Sequence, residues 1–233
     1  MKLYLYQAPD GYCYNSDSIF LYTFIKMFPI KGRVLDIGCG VGVLSLLLAK
    51  RFKAEFFAVE KQESMFFYAQ KNSQVNKQEL TISYCDFQEF ESQEQFDYIV
   101  SNPPFYSVDQ NQSPNISKNI ARYCHHLPLE LLIEKSSKLL KPRGYFIFCY
   151  DASQLDLLLI HLKRSKMQAE FLKFVHPKAN KEAKIVMIAA RKNSNARCRI
   201  LPPLITFNSD GTYTKEAENA FKEANTHSIK AAR

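Results

Sequence analysis

Between Val34 and Ala190, short apolar runs alternate with longer segments whose apolar residues recur at helical spacing, and no other feature restricts the fold as much. Val34–Ile37, Glu55–Glu60, Leu80–Cys85, Phe96–Ser101 and Tyr145–Tyr150 have the length and the β-branched or aromatic content of strands. Val41–Phe52, Gln62–Val75, Leu129–Leu140 and Ser153–Lys166 read as helices, the third stopped by Pro142 and Gly144. Strands separated by crossover helices lie parallel, so the order predicts an α/β fold with a mainly parallel sheet and helices on both faces. Glu170–His176 and Lys184–Ala190 are joined only by the polar Pro177–Ala183. That link suits an antiparallel hairpin, so the last strand is expected to run against the rest.

Composition sets the outer bounds. A chain of 233 residues that is 46% hydrophobic can bury a full core without disulfide or metal staples, and it is too apolar to be disordered. The 6 cysteines are scattered without a CxxC pair and read as reduced thiols of a cytoplasmic protein. Apolar runs fall short of the ~20 residues of a membrane helix, and the N-terminus lacks the pattern of a signal peptide, so no membrane association is expected. Three regions are expected: an N-terminal segment, 1–30, packing over the active site; a central domain, 31–192; and a basic tail, 193–233, with a terminal helix over Thr214–Asn225. The net charge is +8, and residues 152–233 hold 15 Lys and Arg against 7 Asp and Glu. Basic residues between Lys163 and Arg199 are therefore candidates for gripping the backbone of an acidic polymer such as RNA.

The chemistry begins at Asp36-Ile37-Gly38-Cys39-Gly40-Val41-Gly42, where the first sheet strand ends. Open α/β sheets bind ligands at the carboxyl ends of their strands, and glycines let backbone approach a ligand where a Cβ would clash. Glu60 ends the next strand, 22 residues after Gly38, where a carboxylate can accept from both hydroxyls of a ribose. Asp86 follows the third strand and can accept from an adenine amino group while Phe87 covers the ring. Asp36 either faces an ammonium group or orders the turn. Three acids ending successive strands disfavour a polyphosphate and suit a cationic adenosine such as S-adenosylmethionine.

Asn102-Pro103-Pro104-Phe105 follows the fourth strand. The Asn102 side-chain oxygen and the Pro103 carbonyl can each accept one hydrogen of a planar NH2 group. Held this way, the nitrogen is drawn towards a tetrahedral geometry and its lone pair is freed for a methyl group. The two prolines stiffen the acceptor pair in advance. Phe105 offers a face for stacking a base. Cys124-His125-His126 are adjacent on one backbone with no second cluster, so no metal site is expected.

In this order and spacing, Asp36–Gly42, Glu60, Asp86 and Asn102–Phe105 resemble the class I S-adenosylmethionine-dependent amino-methyltransferases. Within that group the chain is most similar to the bacterial tRNA1(Val) adenine-37 N6-methyltransferase family. Asn15–Leu21 resembles that family's N-terminal (G/S)TDxxLL segment, and Ala121-Arg122-Tyr123 its loop after the NPP element. The resemblance implies a seven-stranded Rossmann-like sheet, S-adenosylmethionine as donor and an adenine N6 of tRNA as acceptor. It carries Asp36, Gly38, Gly40, Glu60, Asp86, Phe87 and Asn102 over as cofactor residues, and Asn102, Pro103 and Phe105 as catalytic ones. Asp17, Pro104, Phe105 and Arg122 carry over as substrate contacts. Phe105 stands where Tyr is commoner, which keeps a guanine-N2 rRNA methyltransferase open as an alternative. A release-factor glutamine-N5 methyltransferase shares the planar NH2, and a non-catalytic RNA-binding module is a third alternative. The oligomeric state is expected to be a monomer.

Overall fold

The computed structural model describes residues 2–9, 14–103 and 127–231. The elements ahead of the sheet are β1 (Leu3–Gln7) and α1 (Ser16–Ile25). Next come β2 (Arg33–Ile37), α2 (Val43–Arg51), β3 (Glu55–Glu60), α3 (Glu63–Asn76), β4 (Leu80–Tyr84) and β5 (Phe96–Ser101). α4 (Leu129–Leu139), β6 (Leu140–Asp151), α5 (Leu155–Arg164), β7 (Met167–His176) and β8 (Ile185–Lys192) follow. The long strands lie in the order β4-β3-β2-β5-β6-β8-β7, parallel throughout except for β8. These are the seven strands expected, with the antiparallel member where the short polar link requires it. Two strands of two residues each, β9 (Arg199–Ile200) and β10 (Leu204–Ile205), extend the sheet along the free edge of β7.

The central strands are buried on both faces. Val34, Leu35 and Ile37 of β2 and Ile99 and Val100 of β5 are each 0% exposed, which is why they read as unbroken apolar runs instead of alternating ones. Ser101, at the end of β5, donates its hydroxyl to the Ile37 carbonyl at 2.8 Å and joins the carboxyl ends of the two strands. The sheet order reverses between these strands, so the fold opens a crevice there.

The structure corrects two element boundaries. β6 begins at Leu140, not Tyr145, and runs through Pro142 and Gly144 with a register irregularity against β5. A Cβ on Gly144 would lie 3.0 Å from the Asp97 and Lys141 carbonyl oxygens, so this residue admits the close backbone approach. The helix expected over Ser153–Lys166 is a 3-10 turn, Ala152–Gln154, leading into α5. Among the described residues, no helix is long and apolar enough to cross a membrane.

The ends of the chain meet. α6 (Lys215–Ala224) forms where the terminal helix is expected, with Thr214 as N-cap and Asn225 as a left-handed C-cap. Its buried Ala217, Ala220 and Ala224 give it a small-residue face, and it packs on α1, with the Phe20 and Phe221 rings 5.6 Å apart. β11 (Thr226–Lys230) then pairs in parallel with β1. The other edge of β1 is covered by two side chains one turn apart on α3. Asn72 and Asn76 accept from the Tyr6 and Tyr4 N–H groups at 2.7 and 2.9 Å, and their amides donate back to the Tyr6 and Tyr4 carbonyls at 3.0 and 2.6 Å. Asn72 also donates to the Val41 carbonyl at 2.9 Å, tying β1 to the glycine-rich turn.

Candidate active site

The glycine-rich turn has the geometry its sequence demands. Gly38, Gly40 and Gly42 have φ of +67°, +57° and +84°, in the left-handed region that glycine occupies at least cost. Gly42 is the N-cap of α2, which is why that helix starts at Val43. A Cβ built on Gly38 or Gly40 would meet nothing within 4 Å. The turn therefore presents bare backbone to an open cleft, a cradle that side chains would fill.

That cleft lies between the carboxyl ends of β2, β3, β4 and β5 and the start of α1. Asp36, Gly38, Gly40, Glu60, Asp86, Phe87 and Asn102 all line it. Residues separated by more than sixty positions thus face one space, as their places at strand ends predict.

Each acid has a distinct setting. Asp36 is buried and accepts from the Ser45 hydroxyl and backbone N–H at 2.6 and 3.2 Å, so of its two expected roles the structure displays the ordering of the turn. Burial pushes its carboxyl up to about 7, against the Ser45 hydrogen bonds and with help from the Glu60 charge. Glu60 accepts from Gly40 N–H at 2.9 Å through Oε2 and from Gln62 N–H at 2.7 Å through Oε1. Its carboxyl is also raised by burial, opposed chiefly by those two N–H donors. The Lys61 N–H also bonds this carboxylate, and the ionised group still has acceptor capacity beyond its three N–H donors for a ligand hydroxyl. Asp86, half-buried, accepts from Gln88 N–H at 2.9 Å and lies 3.3 Å from Lys61 Nζ. Phe87 is buried, with Lys135 Nζ 5.4 Å from its ring centroid.

Asn102 is half-buried at the end of β5, and Pro103 behind it is buried. The Asn102 amide is fixed at both ends: Nδ2 donates to Ser18 Oγ at 2.9 Å, and Oδ1 accepts from the Cys149 thiol at 2.9 Å. Burial holds the Cys149 thiol well above its usual range and therefore protonated, reinforced by the nearby Asp17 charge. Asp17 is hydrogen-bonded to Asn15 and Ser16 beside the cleft, and burial pushes its carboxyl up to about 6. Pro104, Phe105, Arg122, the Ser107–Arg122 loop and Cys124-His125-His126 lie outside the described residues.

Sequence reasoning did not single out Ser18, Cys149 or Tyr14. Tyr14 and Ser18 line the cleft, and the Tyr14 hydroxyl donates to Thr226 of β11 at 2.8 Å, so the end of the chain braces a cleft wall. A lone serine, cysteine or tyrosine carries no spacing signal; only the fold brings these three to Asn102 and the cleft.

The model of the methyltransferase small domain matches residues 15–155, which spans α1, the glycine turn, all three acids and Asn102. The chain belongs to the methyltransferase small domain family. Among curated relatives, a tRNA1(Val) (adenine(37)-N6)-methyltransferase of Phocaeicola vulgatus is 31% identical over 158 residues, covering 67% of each chain. One of the same name from Dyadobacter fermentans is 37% identical over 125 residues, covering 52% of each. The chain thus spans between about half and two thirds of the length of these curated relatives. Among solved structures, a predicted O-methyltransferase of Agrobacterium tumefaciens superimposes with a TM-score of 0.69 at 17% identity, covering 92% of this chain and 100% of its own. A T. thermophilus 16S rRNA guanine-N2 methyltransferase, solved with AdoMet and guanosine, does so at 0.56 and 22%, covering 79% of this chain and 45% of its own. These two likenesses establish that the methyltransferase small domain here has the class I methyltransferase fold.

Proposed function

We propose that this chain transfers the methyl group of S-adenosylmethionine to the exocyclic N6 of an adenine in tRNA, of the tRNA1(Val) adenine-37 type. The observation that carries the proposal is the placement of an oriented Asn102 carboxamide on the wall of an acid-lined cleft floored by bare glycine backbone. The curated relatives, named as tRNA1(Val) (adenine(37)-N6)-methyltransferases, support the same acceptor.

The donor set fits S-adenosylmethionine. Glu60 would accept from the ribose hydroxyls, Asp86 and Phe87 would hold the adenine, and the Gly38–Gly40 backbone with Asp36 would hold the cationic amino-acid end. When bound, the donor supplies an electrophilic methyl group on a positively charged sulfur. Asn102 Oδ1 and the Pro103 carbonyl accept the two amine hydrogens of the substrate and turn the nitrogen lone pair out of the ring plane. No base is needed beforehand, since the proton can leave after transfer. Phe105 is assigned to stacking the base together with Pro104, Arg122 to a phosphate, and Asp17 to the substrate side of the cleft. An adenine inside a stacked loop must be extruded to reach Asn102, at a cost of a few kcal/mol.

In this reading residues 31–192 form the catalytic domain, 1–30 cover its active site, and 193–233 are the basic tail. The protein acts on tRNA in the cytoplasm, as a monomer.

Tritium transfer from labelled S-adenosylmethionine to tRNA, rRNA and a release factor, followed by hydrolysis and chromatography, tests the reading. N6-methyladenosine in tRNA is expected; N2-methylguanosine in rRNA, labelled glutamine or no transfer overturns it. Asn102→Ala should reduce transfer by at least a hundredfold, in line with loss of a preorganised polar contact, while the dissociation constant for S-adenosylmethionine stays within about twofold.

A further inference from the structure

The sheet has two ends, and the chain's positive charge is unevenly shared between them. The cleft occupies the carboxyl end. At the opposite end, β8 finishes in Arg191 and Lys192, α5 finishes in Lys163 and Arg164, and Lys166 precedes β7. Arg191 pairs across the sheet with Tyr145, two residues beyond Arg143, and Lys192 pairs with Met167. These six cations therefore converge on one edge, and Arg197 continues the patch towards Arg199 on β9. Arg143, Lys163, Arg164, Lys166 and Arg197 are exposed.

Among the described residues none of the six forms an ion pair, whereas Arg33 and Lys141, further along the same edge, pair with Glu55, Glu94 and Asp97. Glu170, the acid of β7, is buried at a bulge of that strand and is occupied by the Tyr145 and Ser194 hydroxyls. Lys192 Nζ donates to the Leu140 carbonyl at 2.7 Å and is half-buried. Arg191 is held in advance: Nε donates to the Arg143 carbonyl at 2.9 Å, and its guanidinium lies 4.9 Å from the Tyr145 ring centroid. Its two Nη groups make no hydrogen bond to the described residues, which leaves the planar fork that suits a phosphate.

We propose that this amino-end patch is a second RNA contact that binds the phosphate backbone of the tRNA body away from the target nucleotide, an inference that rests on the tRNA reading above. β5 spans 6 residues, so the patch lies roughly 20 Å from Asn102 along the strand direction. An isolated loop nucleotide at Asn102 does not bridge that span. A helical stem does, carrying on the order of ten phosphates over the distance.

The test compares full-length tRNA with a short hairpin RNA bearing the same target loop. The variant is Lys163→Gln, Arg164→Gln, Lys166→Gln and Arg197→Gln combined, and a control carries Lys163→Arg and Lys166→Arg. The quadruple variant should raise KM for full-length tRNA roughly tenfold, leave kcat and the hairpin's KM unchanged, and flatten the salt dependence of tRNA binding measured by fluorescence anisotropy. The arginine control should behave like the parent, and thermal melts should show all variants folded. If the parent methylates tRNA and the quadruple variant matches it in KM and salt slope, the patch alone is refuted. Equal weakening for tRNA and hairpin refutes it too, and a parent that transfers nothing to tRNA refutes both it and the substrate assignment.

Discussion

The Cys149 thiol donates to Oδ1 of Asn102 across 2.9 Å, from the strand next to the one that Asn102 terminates. The same oxygen is the one assigned to the substrate amine. With Nδ2 held by Ser18, the amide is tethered at both ends, and turning it breaks both hydrogen bonds. The role assigned to Asn102 depends on this observed orientation, in which its oxygen lies on the Cys149 side and its nitrogen on the Ser18 side.

Cys149 is therefore a positioning residue. Cys149→Ala should lower kcat by between about tenfold and a hundredfold with KM for tRNA little changed, because misorientation of a reacting group is costly. Cys149→Ser keeps a donor of similar size and should recover most of the rate. Steady-state kinetics on both variants decides it: equal rates for alanine and serine would mean that Cys149 only fills space.

Glu60 holds the glycine turn and has capacity left for a ligand. Removing its carboxylate leaves the Gly40 and Gln62 N–H groups without their partner, a loss of about 1–3 kcal/mol. Glu60→Ala should accordingly weaken S-adenosylmethionine binding by at least tenfold in isothermal titration. An unchanged dissociation constant would remove Glu60 from the cofactor site.

Asp36 makes stability depend on pH. Its carboxyl titrates near 7 when folded and near 3.8 when unfolded, so between those values the folded state holds the extra proton. Stability from this group is complete below about 3.8 and is lost as pH rises towards 7, and Asp17, raised to about 6, acts in the same direction. Asp97, whose carboxyl is lowered, titrates below this window. The ligand-free protein should therefore melt at a higher temperature at pH 5.5 than at pH 7.5, and Asp36→Asn should flatten that slope. A melting temperature that climbs with pH over this range would contradict the buried-carboxyl account.

Asn72 links three backbone groups, at Tyr6 twice and at Val41 once. Asn72→Ala should destabilise the fold by about 1–3 kcal/mol in urea titration, since buried N–H and C=O groups lose their partners. Hydrogen exchange at the Tyr6 amide should accelerate as well; protection equal to the parent's would show that the Asn72 side chain does not hold this amide.

What could be read from the sequence was whatever has a period or a spacing. The strand–helix alternation set the seven-stranded sheet, and the strand ends located Asp36, Glu60, Asp86 and Asn102 in one cleft because parallel strands deliver their termini to the same side. α1 escaped notice because Ile19–Ile25 is buried nearly all round, which erases the apolar stripe that marks a surface helix. β11 lacks alternation and exists only through its partner 223 residues away, Leu3 opposite Thr226. Ser18 and Cys149 were illegible for a related reason: their meaning lies in a shared hydrogen-bond partner, which no local pattern encodes. The basic excess was visible as a number, but its concentration on one edge of the sheet depends on where β8 and α5 stop.

The parallel pairing of β1 with β11 has a consequence for the order in which the fold assembles. Gln7 donates to a hydroxyl 221 positions later in the chain, at Ser228, so the strand that leads into the Ser18 helix waits for that later segment before its pairing is complete. A nascent chain that has already threaded its glycine turn and acids into place still lacks the partner strand of β1 and the Thr226 hydroxyl that receives Tyr14. The strand ahead of the cleft is thus completed by a segment far along the chain, so this pairing closes after the central sheet in order of synthesis.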